Sequence, residues 1–225
     1  MGQMIAEIAE DRVVRVILLG ESTWVTCETG NCILGRDDLE DELEPGKAEF
    51  GVVDSKLVTV VMTPGWGDSK ATLETARLKI RRSVQKCPPG PHAILLVVPE
   101  WKVEEDKYDW SAERKHVELL GGARVWEHTL VLFYCGDERS RQGLEEKGKQ
   151  LSLVREECGG RYHVLNIKNR GGTQVTELLE KIMTMKGHGG GYFVPEAETN
   201  SEDRVRPEDE EERAESTALI GGEVE

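Results

Sequence analysis

The residues with most chemical meaning in this 225-residue chain lie just after a run of apolar residues. "RVVRVILLG" ends at Gly20, and the next seven residues are Glu21, Ser22, Thr23, Trp24, Val25, Thr26 and Cys27. A strand, a glycine, a short loop and a helix make the frame of a phosphate-binding loop. In the pattern GxxxxGK[ST], the glycines let backbone N–H groups converge on phosphate, the lysine neutralises charge and the hydroxyl holds Mg²⁺. Here Val25 stands at the second glycine, Thr26 at the lysine and Cys27 at the hydroxyl position, with the anion Glu21 beside Gly20. The spacing alone is equally that of an ordinary strand, loop and helix. The stretch is a nucleotide site or the remains of one.

Three further loops follow apolar runs. "VVMTPGWGD" places Thr63-Pro64-Gly65 after a strand, with Met62 where a D-T-P-G segment has its Mg²⁺-linked Asp. "LFYCGDER" ends a strand at Asp137, whose carboxylate could accept the ring N–H and exocyclic amine of guanine, or could be a surface turn residue. "YHVLNI" brings Asn166 to a position where a base contact can sit.

These loops need a scaffold. Apolar, β-branched runs at Arg12–Gly20, Pro91–Pro99 and His128–Cys135 predict buried parallel strands, and Tyr162–Ile167 a short fourth one. "GVVDSKLVTVVM" predicts a hairpin about Asp54–Ser55–Lys56. Helical spacing recurs in "KATLETARLKIRRSVQKC", in "SAERKHVELL" up to a break at Gly121–Gly122, in "LEEKGKQLSLVREEC" up to a stop at Gly159, and in Thr173–Met185 with Thr173 as cap. The helix after the first loop is expected to begin near Cys27–Thr29. Strands alternating with helices imply an α/β fold, a mostly parallel sheet covered on both faces, whose ligands bind at the carboxyl ends of the strands.

Charge and cysteines narrow the function classes. Net charge is −14, with −9 of it between Glu196 and the C-terminus, and no basic face suggests nucleic-acid binding. "DDLEDELE" with its following Pro-Gly reads as an exposed acidic loop. Five cysteines without a CxxC pair read as reduced thiols of a cytoplasmic protein. No run reaches the length of a transmembrane segment and no signal peptide is expected. The five histidines lack metal-ligand spacing. Trp24, inside the altered loop, could plug a phosphate pocket or sit at a partner interface.

"TGNCILG", "TPGW", "CPPGPHAILLVV", "ELLGGARVWEHTLVLF" and "ECGGRYHVLNIKNRGGTQVTELLEKI" resemble the immunity-associated GTPase (GIMAP or IMAP) family over about Val13 to Phe193. The resemblance implies a P-loop GTPase-like G domain at residues 10–187, followed by an acidic, disordered tail at 188–225. It implies GTP or GDP with Mg²⁺ as cofactors and homo- or hetero-oligomers with related GTPases as partners. It maps nucleotide binding onto Gly20, Gly65, Asp137 and Asn166. The sequence departs from the family at Val25, Thr26, Cys27 and Met62. It also lacks any Thr between Arg36 and Val58 for the first switch, and has Tyr134 where Thr often opens the guanine motif. A thiol is a poor Mg²⁺ ligand, because that ion prefers oxygen. The expectation is a pseudo-GTPase acting as an interaction module, with no catalytic or metal-binding residue and Mg²⁺ not held. The alternative is a switch with weak residual nucleotide binding and hydrolysis.

Overall fold

The computed structural model describes residues 10–39, 47–67, 73–104, 108–188 and 191–195. Six strands form one sheet in the order β2-β3-β1-β4-β5-β6: β1 Val13–Gly20, β2 Ala48–Val53, β3 Lys56–Met62, β4 Ala93–Pro99, β5 Thr129–Cys135 and β6 Tyr162–Asn166. All pairs are parallel except the β2–β3 hairpin. Its two-residue turn holds Asp54 and Ser55 at φ 48° and 59°, the left-handed pair that matches strand twist.

Successive side chains of a strand point to opposite faces, so an unbroken apolar run supplies two cores at once. Ile17 and Leu19 of β1 join Ile94, Leu96 and Phe133 on one face, under α2 (Leu73–Gln85), α4 (Ser111–Glu118) and α5 (Glu138–Gly148). Val16 and Leu18 join Leu95, Val97 and Leu132 on the other, under α1 (Thr23–Leu34) and α6 (Gly172–His188). A short helix, α3 (Glu100–Glu104), follows β4. No described helix is long and apolar enough to cross a membrane.

Three local expectations need correction. The first helix begins at Thr23, not near Cys27, so a turn of helix occupies what the sequence frame assigns to a loop. The segment expected as one helix up to Gly159 is two pieces, α5 and a π-helical turn at Leu153–Glu157. Glycine is a poor helix former, and α5 stops at Gly148, where the absence of a side chain makes room for the ring of Phe133. Thr173 is not a cap: α6 begins one residue earlier, at Gly172 (φ 71°), directly after Gly171 at φ 69°. Most of the acidic segment (residues 40–46) and the tail from residue 196 lie outside the described residues. Phe193, beyond the expected boundary at 187, is buried in the core and its N–H donates to the Pro91 carbonyl at 2.8 Å.

The Gly148 packing gives a direct prediction. A Cβ at Gly148 would lie 2.7 Å from Cε2 of the fully buried Phe133. Gly148→Ala is expected to destabilise the fold by roughly 1–3 kcal/mol, despite the better helix propensity of alanine. Urea unfolding of the two proteins checks it.

Candidate functional site

The loops of interest converge at the carboxyl ends of β1, β3, β4 and β5. Gly20 closes β1, and a Cβ there would lie 3.1 Å from Cγ2 of Thr26. With α1 starting at Thr23, the Thr26 N–H donates to the Ser22 carbonyl at 3.2 Å. Its hydroxyl donates to the Thr23 carbonyl at 2.9 Å. Thr26 is fully buried, and Val25 and Cys27 are nearly so. Met62 is buried against α1, its sulfur 3.3 Å from where a Cβ on Gly30 would be. The three positions that differ from the phosphate-loop pattern, and Met62 in the segment after β3, therefore face the packed interior.

The segment after β3 is bound to the first loop. The Thr63 N–H and hydroxyl both donate to the Leu18 carbonyl at 3.0 Å. The Gly65 N–H, which in a GTP-binding domain would meet the γ-phosphate, donates to the Thr23 hydroxyl at 2.8 Å. The Gly67 N–H donates to the Glu21 carbonyl at 2.8 Å. Trp66 stacks on His116 of α4 with ring centroids 4.6 Å apart. Burial lowers the His116 pKa, which keeps that ring neutral against the indole.

An ion-pair triad sits beside this closure. Lys102 of α3 reaches Glu21 and Glu113, each at 2.6 Å. Tyr108 donates its hydroxyl to Glu113 at 3.1 Å, and its ring lies 4.8 Å from the ammonium. Burial works against the Lys102 charge, but the hydrogen bonds to Glu113 and Glu21 outweigh it and raise its pKa.

The base-reading candidates lie on the neighbouring strand ends. Asp137 caps α5, accepting the Ser140 N–H at 2.8 Å. That bond lowers its pKa, and the residue is exposed. Asn166, paired with Cys135 in the sheet register, is buried, and its side-chain oxygen accepts the Lys168 N–H at 3.0 Å. Its backbone is held by Gln174 of α6 from both sides, at 2.9 and 3.0 Å. Asn166 is thus engaged in the turn that leads into α6. Tyr134 is buried, edge-on to Trp101 at 5.9 Å, with its hydroxyl taking no hydrogen bond among the described residues.

Trp24 is 50% exposed and Trp101 53%, so Trp24 does not fill a buried pocket. Trp24 is the second residue of α1, three residues after Glu21, and Trp101 is the second residue of α3, next to Lys102. Sequence reading missed Thr23 and Lys102. Thr23 is one of several hydroxyls in the loop, and Lys102 has no spacing signal because its partners come from other elements. A cavity of about 920 Å³ lies at the opposite, amino end of the sheet, lined in part by Trp126, Leu130, Arg161, Tyr162 and Met185. None of the loops above contributes to it.

Comparison with known proteins agrees with this geometry. A family model described as the AIG1 family matches residues 14–212. The chain is 27% identical over 193 residues to GTPase IMAP family member 8 of Homo sapiens, which covers 80% of the chain and 29% of that protein. It is 24% identical over 184 residues to immune-associated nucleotide-binding protein 9 of Arabidopsis thaliana, covering 76% of the chain and 53% of the relative. The chain thus spans about a third to a half of these relatives. Among solved structures, Toc33 from Arabidopsis thaliana, crystallised with Mg²⁺ and GMPPNP, superposes with a TM-score of 0.54 at 14% identity, over 79% of this chain and 86% of Toc33. That likeness is one of fold. With the family model covering most of its length, and a six-stranded sheet of the P-loop GTPase type, the chain belongs to the AIG1 family of immunity-associated GTPases.

Proposed function

We propose that this G domain is a pseudo-GTPase that works as a protein-interaction module, pairing with related GTPases through its closed loop face. The observation that carries the reading is the hydrogen bond from the Gly65 N–H to the Thr23 hydroxyl, made possible because α1 begins three residues before Thr26. The amide that would greet a terminal phosphate is satisfied from within the chain. The residues do not fit a Mg²⁺-nucleotide: Cys27 and Met62 offer sulfur to an ion that prefers oxygen, and Thr26 offers no charge. Each missing charge-assisted contact costs roughly 1.5–3 kcal/mol, about ten- to a hundredfold in affinity. Trp24 and Trp101 are half exposed on the helices that follow β1 and β4, and aromatic residues are enriched at interfaces.

A second reading, weak guanine-nucleotide binding, is favoured by one feature. Asp137 is exposed, and one of its oxygens holds the Ser140 N–H while the other could still accept from a base. Size-exclusion chromatography of the purified chain mixed with a related IMAP G domain tests the first reading. Co-elution is expected, with loss of at least tenfold in apparent affinity in a Trp24→Ser/Trp101→Ser variant of unchanged circular dichroism. A pair that never co-elutes, or an interaction indifferent to both tryptophans, would remove the proposed interface.

The closure itself is testable by Thr23→Val. Removing the hydroxyl leaves the buried Gly65 N–H without its acceptor, at a cost of about 1–3 kcal/mol. The Gly65 amide should then exchange with deuterium faster than in the unaltered protein.

A further inference from the structure

β2 is one edge of the sheet, paired with β3 on one side only. Val53 and Lys56 flank the two-residue turn of the hairpin, so they exchange both ladder bonds, and the bonded pairs recur at Gly51–Val58 and Glu49–Val60. The N–H and C=O groups of Ala48, Phe50 and Val52 therefore point away from β3, and among the described residues no other segment bonds to them. The side chains of these three residues share one face. Gly51 turns to the other face, where Leu34 of α1 covers it: a Cβ there would lie 3.1 Å from Leu34 Cδ2. Phe50 and Val52 have no such cover and are 58% and 76% exposed. Edge strands of monomeric proteins are usually guarded by a proline, a bulge or a lysine on the open side. The strand AEFGVV carries none of these, and its one charge, Glu49, lies on the Gly51 face and is paired with Lys47 at 2.7 Å.

We propose that β2 is the pairing edge of a symmetric dimer, in which it lies antiparallel to β2 of a second copy and joins two six-stranded sheets into one. The occupant follows from the strand itself. About a two-fold axis the residue numbers of facing pairs must share parity, because successive antiparallel pairs alternate between bonded and non-bonded types. Outward backbone groups thus meet outward backbone groups, and the exposed side chains stay on one face. With the axis at Gly51, Phe50 faces Val52 of the second copy, and Val52 faces its Phe50. The outward N–H and C=O of both residues then find partners in the other copy. An aromatic ring against a β-branched side chain is a favourable cross-strand pair, and both side chains leave water. The backbone groups would accept any strand. The match of Phe50 to Val52 in both directions is what selects a second copy. This edge is separate from the loop face, so the dimer goes beyond the pairing proposed above and does not depend on it.

The test is sedimentation velocity, across micromolar concentrations, of the unaltered protein, Phe50→Lys, Val52→Glu, an equimolar mixture of those two variants, and Trp24→Ser/Trp101→Ser. Both strand positions are exposed, so the substitutions keep the fold, which circular dichroism checks. The expected result is a concentration-dependent dimer of the unaltered protein and of the tryptophan variant, weakened about tenfold or more in each strand variant. The mixture is expected to recover the dimer, because the register sets position 50 of one copy against position 52 of the other and so brings the new ammonium to the new carboxylate. A chain that stays monomeric throughout overturns the proposal. So does a dimer that both strand variants keep; if the tryptophan variant loses that dimer, it belongs to the loop face instead. A mixture no better than its components removes the facing of Phe50 and Val52 on which the proposal rests.

Discussion

Titration of the purified chain with GTP or GDP, with or without Mg²⁺, is expected to give no binding heat up to millimolar nucleotide. The expectation follows from three losses that act together: no lysine at position 26, no oxygen ligand at Cys27 or Met62, and a Gly65 amide bonded to Thr23. At about ten- to a hundredfold each, two such losses move a micromolar site to the millimolar range. Restoring the motif residues alone is not expected to bring binding back. Thr26 is fully buried beneath Gly20, with its N–H and hydroxyl both bonded inside the first turn of α1. Thr26→Lys must either bury an ammonium or unwind that turn, and is expected to destabilise the fold by roughly 2–4 kcal/mol. Denaturant unfolding of Thr26→Lys, run beside calorimetry of Val25→Gly/Thr26→Lys/Cys27→Ser, checks both. A triple variant that is as stable as the unaltered protein and binds GTP at micromolar concentration would show that the helix start at Thr23 is not a barrier.

Acid is expected to destabilise this domain through two buried histidines. His92 lies at the amino end of the sheet: its Nδ1 accepts the Arg15 N–H at 3.0 Å, and its Nε2 lies 3.4 Å from Glu10 and 2.9 Å from the Arg15 guanidinium. His163 donates from Nε2 to the Gln174 carbonyl at 2.8 Å, and its Nδ1 faces the Lys181 ammonium at 3.3 Å. In both rings a proton on Nδ1 would meet a donor. Burial, with the neighbouring cations, lowers each pKa from 6.5 to about 4. Between those two values the unfolded chain binds protons that the folded one refuses, so stability falls as pH drops from 6.5 towards 4 and this contribution changes no further below it. Each histidine contributes about 2 kcal/mol of loss by pH 5 and about 3 kcal/mol by pH 4. Against a total stability of roughly 5–15 kcal/mol, that is a large share. Urea unfolding from pH 7 to pH 4 should show the loss, and His163→Gln should remove close to half of its pH dependence. A profile flat to pH 4.5 would mean that these rings are protonated in the folded state at little cost.

Much of the fold was written in periodicity. Unbroken β-branched runs marked β1, β4 and β5 because a strand covered on both faces needs apolar residues at every position, and the Asp54–Ser55 turn marked the hairpin. The missing lysine and the sulfur-bearing residues at the metal positions were equally legible, since side-chain chemistry is a property of composition at a place in a motif. The sequence could not say what fills the space those residues leave. The helix start at Thr23 depends on Thr26 burying itself against Gly20, a contact set by the packing of α1 on the sheet. The Gly65–Thr23 bond and the Lys102–Glu21–Glu113 triad join residues from separate strand ends, and only the sheet order, with β1 between β3 and β4, brings them together. Local pattern determined which positions of the phosphate-loop and switch motifs carry other residues. The tertiary structure decided that other residues of the chain stand in their place, because hydrogen bonds and ion pairs between distant segments form only once the backbone has placed their donors and acceptors within about 3 Å.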